Sequence, residues 1–94
     1  PYQPYIDNIV SQIVRRFHTN MRLTAEVQFM IHRDGSVDVD GIKVTKPSPA
    51  YVFNQQAAGA VEAAAEAHAF GPLPPGFHDD ILPVTFRFTP SLVR

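Results

Sequence analysis

The chain has 94 residues, of which 45% are apolar and 18% are charged, a composition typical of one folded domain that excludes general disorder. Its formal net charge of -1, without any basic run, argues against nucleic-acid binding. It contains no cysteine, which excludes a disulfide framework, a thiolate nucleophile and a cysteine zinc site.

The N-terminal end predicts a piece of a longer protein. The chain starts at Pro1 rather than at methionine, and neither a signal peptide nor an apolar run of the ~18 residues needed to span a bilayer is visible. Residues 1–4 hold two prolines and are expected to be the end of an extended linker.

The first predicted element is an amphipathic helix over residues 5–17. Its apolar side chains recur at spacings of three and four residues, which predicts one buried stripe. The stripe consists of Ile6, Ile9, Val10, Ile13 and Phe17. Asp7 is expected in the first turn and Arg15–Arg16 in the last, where their charges suit the helix dipole.

The stretch from Leu23 to His32 is the strongest strand signal in the chain. Apolar and polar residues alternate over ten positions, which predicts a strand with one buried face. The buried face is expected to carry Leu23, Ala25, Val27, Phe29 and Ile31. We therefore expect this stretch to be the central strand of a small α+β domain.

A hairpin is predicted directly after the central strand. Asp34-Gly35 lies between two apolar alternations, a typical signature of a tight turn. The second strand is expected over residues 36–46, but its alternation changes phase at Asp40-Gly41. Either a bulge at this dipeptide restores the buried face, or the strand begins only near Gly41.

A second helix is predicted from Ser48, as its cap, and Pro49, as its first residue, to about Ala69. Gly71 is expected to end it, and a stiff proline segment follows to Gly76. The helix face that should pack on the sheet consists of Phe53, Ala57, Ala60, Val61, Ala64 and His68.

The third predicted strand, which ends before Pro90, contains a proline. Pro83 interrupts an alternation whose apolar face consists of Leu82, Val84, Phe86 and Phe88. Because proline cannot donate to a ladder, Pro83 predicts an edge strand with its nitrogen turned outward. Thr85, Arg87 and Thr89 would then direct six unpaired backbone groups to the same side. Such an edge is either a docking site or a plain edge that Pro83 and Arg87 protect from aggregation.

Together these elements predict an α+β fold with the topology α-β-β-α-β. The sheet is expected to be antiparallel and three-stranded, in the order 2-1-3, with both helices packed on one face. No cofactor or metal site is predicted, because the four histidines lie at no metal-ligand spacing. Asp79-Asp80 is interpreted as a solvated strand entry, and no pattern supports catalysis.

The ordered set of elements resembles the C-terminal domain of the TonB/TolA energy-transducer family. The segments that carry the resemblance are Tyr5–Phe17, Val27-x-Phe29 with Arg33-Asp34-Gly35-x-Val37, Phe53-Asn54-x-x-Ala57-x-x-Ala60-Val61, Pro72-Leu-Pro-x-Gly76 and Val84-x-Phe86-x-Phe88. The resemblance covers residues 5–89, and we assign the domain to residues 5–90, followed by a frayed tail, 91–94. Lys46-Pro47-Ser48 stands where many relatives carry Ser-Ser-Gly, and the helix-first, alanine-rich layout is similar to TolA.

The resemblance implies a periplasmic domain of an inner-membrane-anchored protein. Such a domain adds a short extended segment of an outer-membrane transporter, the TonB box, to its last strand. The expected binding residues are Pro83, Val84, Thr85, Phe86, Arg87, Phe88 and Thr89. A missing N-terminal part would contact an inner-membrane proton-channel complex. Two other interpretations stay open at this point: a TolA-type domain that binds a periplasmic partner, and a homodimer paired through third strands.

Overall fold

The chain folds in the order helix, strand, strand, helix, strand, in a computed structural model that describes residues 2–92. The helices are α1, Gln3–Val14, and α2, Tyr51–Glu66; the strands are β1, Ala25–His32, β2, Lys43–Lys46, and β3, Ile81–Phe88. The strands form one antiparallel sheet in the order β2-β1-β3. The predicted fold class, topology and strand order are confirmed.

The core lies between one face of the sheet and the two helices. The alternation predicted for the central strand is confirmed over Ala25–His32, since Ala25, Val27, Phe29 and Ile31 are all buried. The strand does not begin at Leu23 as predicted, because Leu23 lies before β1 and is half-buried. The α2 side chains that pack over the buried face of β1 are Phe53, Ala57, Ala60, Val61 and Ala64, as predicted. Four of these five are small or β-branched, which lets the helix approach the sheet closely.

The boundaries of α1 differ from the prediction at both ends. The helix begins at Gln3, so Pro4 lies in its first turn, where a missing N–H costs nothing. Asp7 therefore falls beyond the first turn, and Arg15 follows the last helical residue. Of the predicted stripe, Ile6 and Val10 are exposed, whereas Ile9, Ile13 and Phe17 are buried. The proposed linker boundary at residue 4 stays a prediction, and Pro1 lies outside the described residues.

The second helix also starts and ends differently from the prediction. Its first residue is Tyr51, and Ser48 lies before it with its backbone N–H and C=O both bonded to the side-chain amide of Asn54, at 2.7 and 3.1 Å. The helix ends at Glu66, because His68, with φ of 51°, takes the left-handed conformation. His68 donates its N–H to the Ala65 carbonyl and is exposed, so it does not belong to the buried face.

The second strand is shorter than predicted. Residues 36–42 form a connection that contains a 3-10 turn, Val39–Gly41, so no bulge lies at Asp40-Gly41. The alternative of a late strand start is nearer to the structure, although β2 begins only at Lys43. An irregularity does occur, but at Thr45, since Glu26 pairs with Lys46 and Val27 pairs with Val44.

The predicted tight turn after β1 is confirmed. Gly35, with φ of 89°, donates its N–H to the His32 carbonyl at 2.8 Å, and His32 donates to the Ser36 carbonyl at 2.8 Å. The Asp34 carboxylate accepts from the Ser36 hydroxyl and backbone amide, and these bonds hold the pKa of Asp34 below its ordinary value. The turn is therefore fixed by backbone and side-chain bonds together.

The chain after β3 does not simply extend away. Residues 90–92 form a 3-10 turn, Pro90–Leu92, and Leu92 packs against the core. The rest of the expected tail, residues 93–94, lies outside the described residues. None of the helices in residues 2–92 is long and apolar enough to cross a membrane.

Candidate functional site

The last strand lies at the edge of the sheet, as Pro83 predicted. It pairs with β1 over its whole length, in eight direct pairs from His32 with Ile81 to Ala25 with Phe88. On its other side, no strand formed by residues 2–92 is paired with it. The outer side of β3 is therefore an open edge.

The two faces of β3 are also those predicted. Phe86 and Phe88 are buried beneath the helices, and Leu82 and Val84 on the same face are half-buried. Pro83, Thr85 and Arg87 are exposed on the opposite face. The burial increases from the start of the strand to its end, so the helical layer covers the Phe88 end best.

The register shows which backbone groups point outward. The N–H and C=O of His32 are both used on the β2 side, by Ser36 and Gly35. Successive residues of a strand point to opposite sides, so the odd-numbered residues of β1 direct their backbone groups to β3. Their direct partners are Phe88, Phe86, Val84 and Leu82.

The intervening residues of β3 consequently face away from β1. The nitrogen of Pro83 points to the open side, which is the orientation that the proline predicts. Thr85 and Arg87 each direct an N–H and a C=O to the same side. The predicted count of six free groups is wrong at Thr89, which follows the end of β3, because its carbonyl accepts from the Leu92 amide at 3.1 Å.

The other edge of the sheet is much less suited to pairing. The strand there, β2, has four residues and is irregular at Thr45. Lys43 and Lys46 are exposed on it. Short length, an irregularity and lysines are the features by which edge strands avoid unwanted pairing. The two edges of the sheet therefore differ in how well they can pair with another strand, and the long, regular edge is that of β3.

The start of β3 is positioned by Arg33, whose contacts with the segment before β3 the sequence analysis did not predict. Its guanidinium donates to the backbone carbonyls of Phe77, at 2.6 Å, and of Asp79, and lies 3.7 Å from the Asp80 carboxylate. The Leu73 amide donates to the Arg33 carbonyl at 3.0 Å. The hairpin tip therefore fixes the proline segment that leads into β3. No local pattern reveals a contact between residues more than 40 positions apart.

Other side chains with chemical potential are dispersed. His32 Nε2 lies 3.1 Å from the Asp38 carboxylate on the surface, while Asp79 and Asp80 are exposed at the strand entry. Within residues 2–92, no three histidine or acidic side chains come close enough together to bind a metal. The open edge of β3 is the candidate functional site.

These features define a small α+β domain whose C-terminal strand offers a regular open edge. The sequence matches the family described as TonB C terminal over residues 1–88, and the chain belongs to this family. Comparisons with curated proteins and with solved structures gave no match. The protein is thus a TonB-like domain, of a family that serves energy transduction and binding rather than catalysis.

Proposed function

We propose that this domain captures an extended segment of an outer-membrane transporter, the TonB box, by adding it as a strand to β3. The binding residues are Pro83 to Thr89. The observation that carries the proposal is the orientation of β3, whose Thr85 and Arg87 backbone groups face an edge that no strand of residues 2–92 occupies. Family membership supports the same function.

The physical mechanism of capture is main-chain hydrogen bonding. The carbonyl of Pro83 and both backbone groups of Thr85 and Arg87 are available to a guest strand, which would gain a ladder without needing particular side chains. Because β3 is held to β1 by eight direct pairs, a force applied to the guest is passed into the centre of the sheet. Such an arrangement suits a domain that pulls on its partner.

Family membership supports a periplasmic setting for the domain. We propose further that the domain belongs to a protein anchored in the inner membrane, and that an N-terminal part of that protein contacts a proton-channel complex. Proton-motive force at the inner membrane would then be delivered to the transporter through the captured strand.

An NMR titration tests the proposal. A peptide from the N-terminal segment of such a transporter should shift or broaden the amide signals of Thr85, Arg87 and Thr89, while those of β2 stay unchanged. The matched control is the same peptide with N-methyl groups at alternate backbone positions, which keeps its side chains but removes the N–H donors on the side that would face β3. Unchanged signals on β3 with the unmodified peptide contradict the proposal.

The same open edge could instead receive another guest. A TolA-type periplasmic partner is distinguished by a pull-down that compares it with transporter segments. A second copy of this chain, paired β3 to β3, is distinguished by sedimentation, since it requires a mass that rises with protein concentration. If the chain stays monomeric at all concentrations, β3-to-β3 pairing is excluded and the guest is a different protein.

A further inference from the structure

Helix α1 exposes apolar side chains that its helical pattern would place in the core. Ile6 and Val10 are 44% and 39% exposed, and Val14, one turn further on, is half-buried. We call these three side chains the α1 flank. They follow each other at spacings of four residues and therefore form one continuous apolar strip along the helix.

The α1 flank lies on the side of the helix that faces away from α2. Two side chains tie the opposite side to the chain just after α2: Asn8 donates to the Ala69 carbonyl at 3.0 Å, and Tyr5 donates to the Gly71 carbonyl at 2.9 Å. Val10 is two residues from Asn8, which is about 200° around a helix of 3.6 residues per turn. The flank consequently points away from these anchors.

That direction is towards the open edge of the sheet. Helix α2 packs against β1 and β2, and α1 lies beside α2, so α1 lies over the remaining strand, β3. In agreement, the ring of Phe17, three residues beyond α1, lies 4.7 Å from the ring of Phe88 in β3. Val10 and Val14 line a groove of about 330 Å³ together with Ser91 and Leu92, the residues that follow β3. The α1 flank therefore overhangs the outer side of β3.

The helix-facing side of β3 is only partly covered by the helices near the start of the strand. Leu82 and Val84 lie on the helix-facing side of β3, yet they are half-buried, in contrast to the buried Phe86. In a strand added outside β3, every second side chain would point to the helical side of the sheet. Those side chains would enter the space between Leu82, Val84 and the α1 flank.

The opposite face of the edge has a different chemistry. Arg87 is exposed there, and its direct partner on β1, Glu26, already lies 3.7 Å from Lys46. Within residues 2–92, Arg87 has no carboxylate at ion-pair distance. A guest side chain beside Arg87 on this face is favoured when it carries a negative charge.

We propose that the α1 flank selects the guest segment. The preferred segment alternates apolar with polar side chains, and its apolar side chains pack between the α1 flank and Leu82 and Val84. On its polar face it places a carboxylate beside Arg87. This inference rests on strand addition to β3. It adds that the captured segments are determined by which face of the guest carries its apolar side chains, and not by backbone bonding alone. The guest is an extended segment of another protein with this amphipathic pattern.

Two synthetic peptides of identical composition test the selection. Each has about nine residues, enough to span β3 at about 3.3 Å per residue. One alternates valine with threonine and serine and places an aspartate in phase with the polar positions; the other groups its valines together. The alternating peptide is expected to bind the 94-residue chain about tenfold more tightly, by NMR or calorimetric titration.

Three variants identify the contact. Val10→Glu should remove the preference for the alternating peptide, and Val10→Ala should reduce it without adding charge. The matched control is Val52→Glu, because Val52 is also an exposed apolar residue, at 52%, but lies on α2. It should leave both affinities unchanged.

The outcomes separate this inference from strand addition itself. If both peptides shift the Thr85 and Arg87 amides with equal affinity, and Val10→Glu changes neither affinity, side-chain selection is overturned while strand addition stands. If neither peptide affects these amides, both proposals fail. A preference that Val10→Glu removes and Val52→Glu preserves supports selection by the α1 flank.

Discussion

At Gly35 the turn after β1 comes so close to the chain after α2 that no side chain fits. The residue is buried with φ of +89°, and a Cβ placed on it would lie 2.3 Å from the carbonyl oxygen of Gly71. Gly71 also has a positive φ, of +70°, but a Cβ there would meet no atom within 4 Å. A side chain at Gly35 would therefore cause both backbone strain and steric overlap, whereas a side chain at Gly71 would cause backbone strain alone.

We expect Gly35→Ala to lower the free energy of unfolding by about 3–5 kcal/mol, because it adds a severe overlap to the left-handed conformation. Gly71→Ala should cost only about 1–2 kcal/mol, the strain alone. Urea denaturation of the two variants measures both values. Equal losses would show that the close approach of Gly35 to Gly71 is not what makes glycine necessary.

At the scale of elements, the strands that could be predicted are those whose whole length contacts the core. The alternation in β1 and β3 spans eight residues, and one proline was sufficient to assign the edge and its orientation. The start of the second strand could not be predicted, because residues 36–40 alternate as a strand does but belong to a connection with an exposed turn. Periodicity identifies a face but does not show whether a partner strand reaches it.

The same limit explains why the exposure of Ile6 and Val10 and the contacts of Arg33 were not predicted. A helical period predicts that Ile6 and Val10 share the buried side, but their burial depends on how far the sheet extends beneath them, and it ends at β3. Arg33 acts on carbonyls of a distant proline segment. Neither the exposure of Ile6 and Val10 nor the contacts of Arg33 can be recognised from neighbouring residues, whereas a turn such as Asp34-Gly35 can.

The orientation of β3 gives a test with proline as the probe. Thr85→Pro should change the free energy of unfolding by less than about 1 kcal/mol, because Thr85 directs its N–H to the open side. Val84→Pro should cost about 3 kcal/mol or more, because it removes a ladder bond to Phe29. Chemical denaturation of both variants checks the prediction. A reversed order of the two losses would place the open side on the even-numbered residues.

At the scale of the whole molecule, the difference between the two sheet edges determines where a guest strand can bind and stabilise the fold. The β2 edge is short, irregular and flanked by lysines, whereas β3 is regular over eight residues. A guest strand that binds only the folded domain shifts the unfolding equilibrium by mass action. Because only the folded sheet offers the β3 edge to a guest, the gain depends on guest concentration relative to Kd and applies to the whole domain.

A transporter segment at 100 times its Kd should therefore raise the free energy of unfolding by about 2.7 kcal/mol. For a domain of this size, that corresponds to a rise in melting temperature of about 10–20 °C, which calorimetry can follow. Thr85→Pro should abolish the rise, since it removes the outward N–H while the fold is kept. Thr85→Val, which changes the side chain but retains the N–H, should preserve it. A rise that survives Thr85→Pro would move the binding site away from the β3 edge.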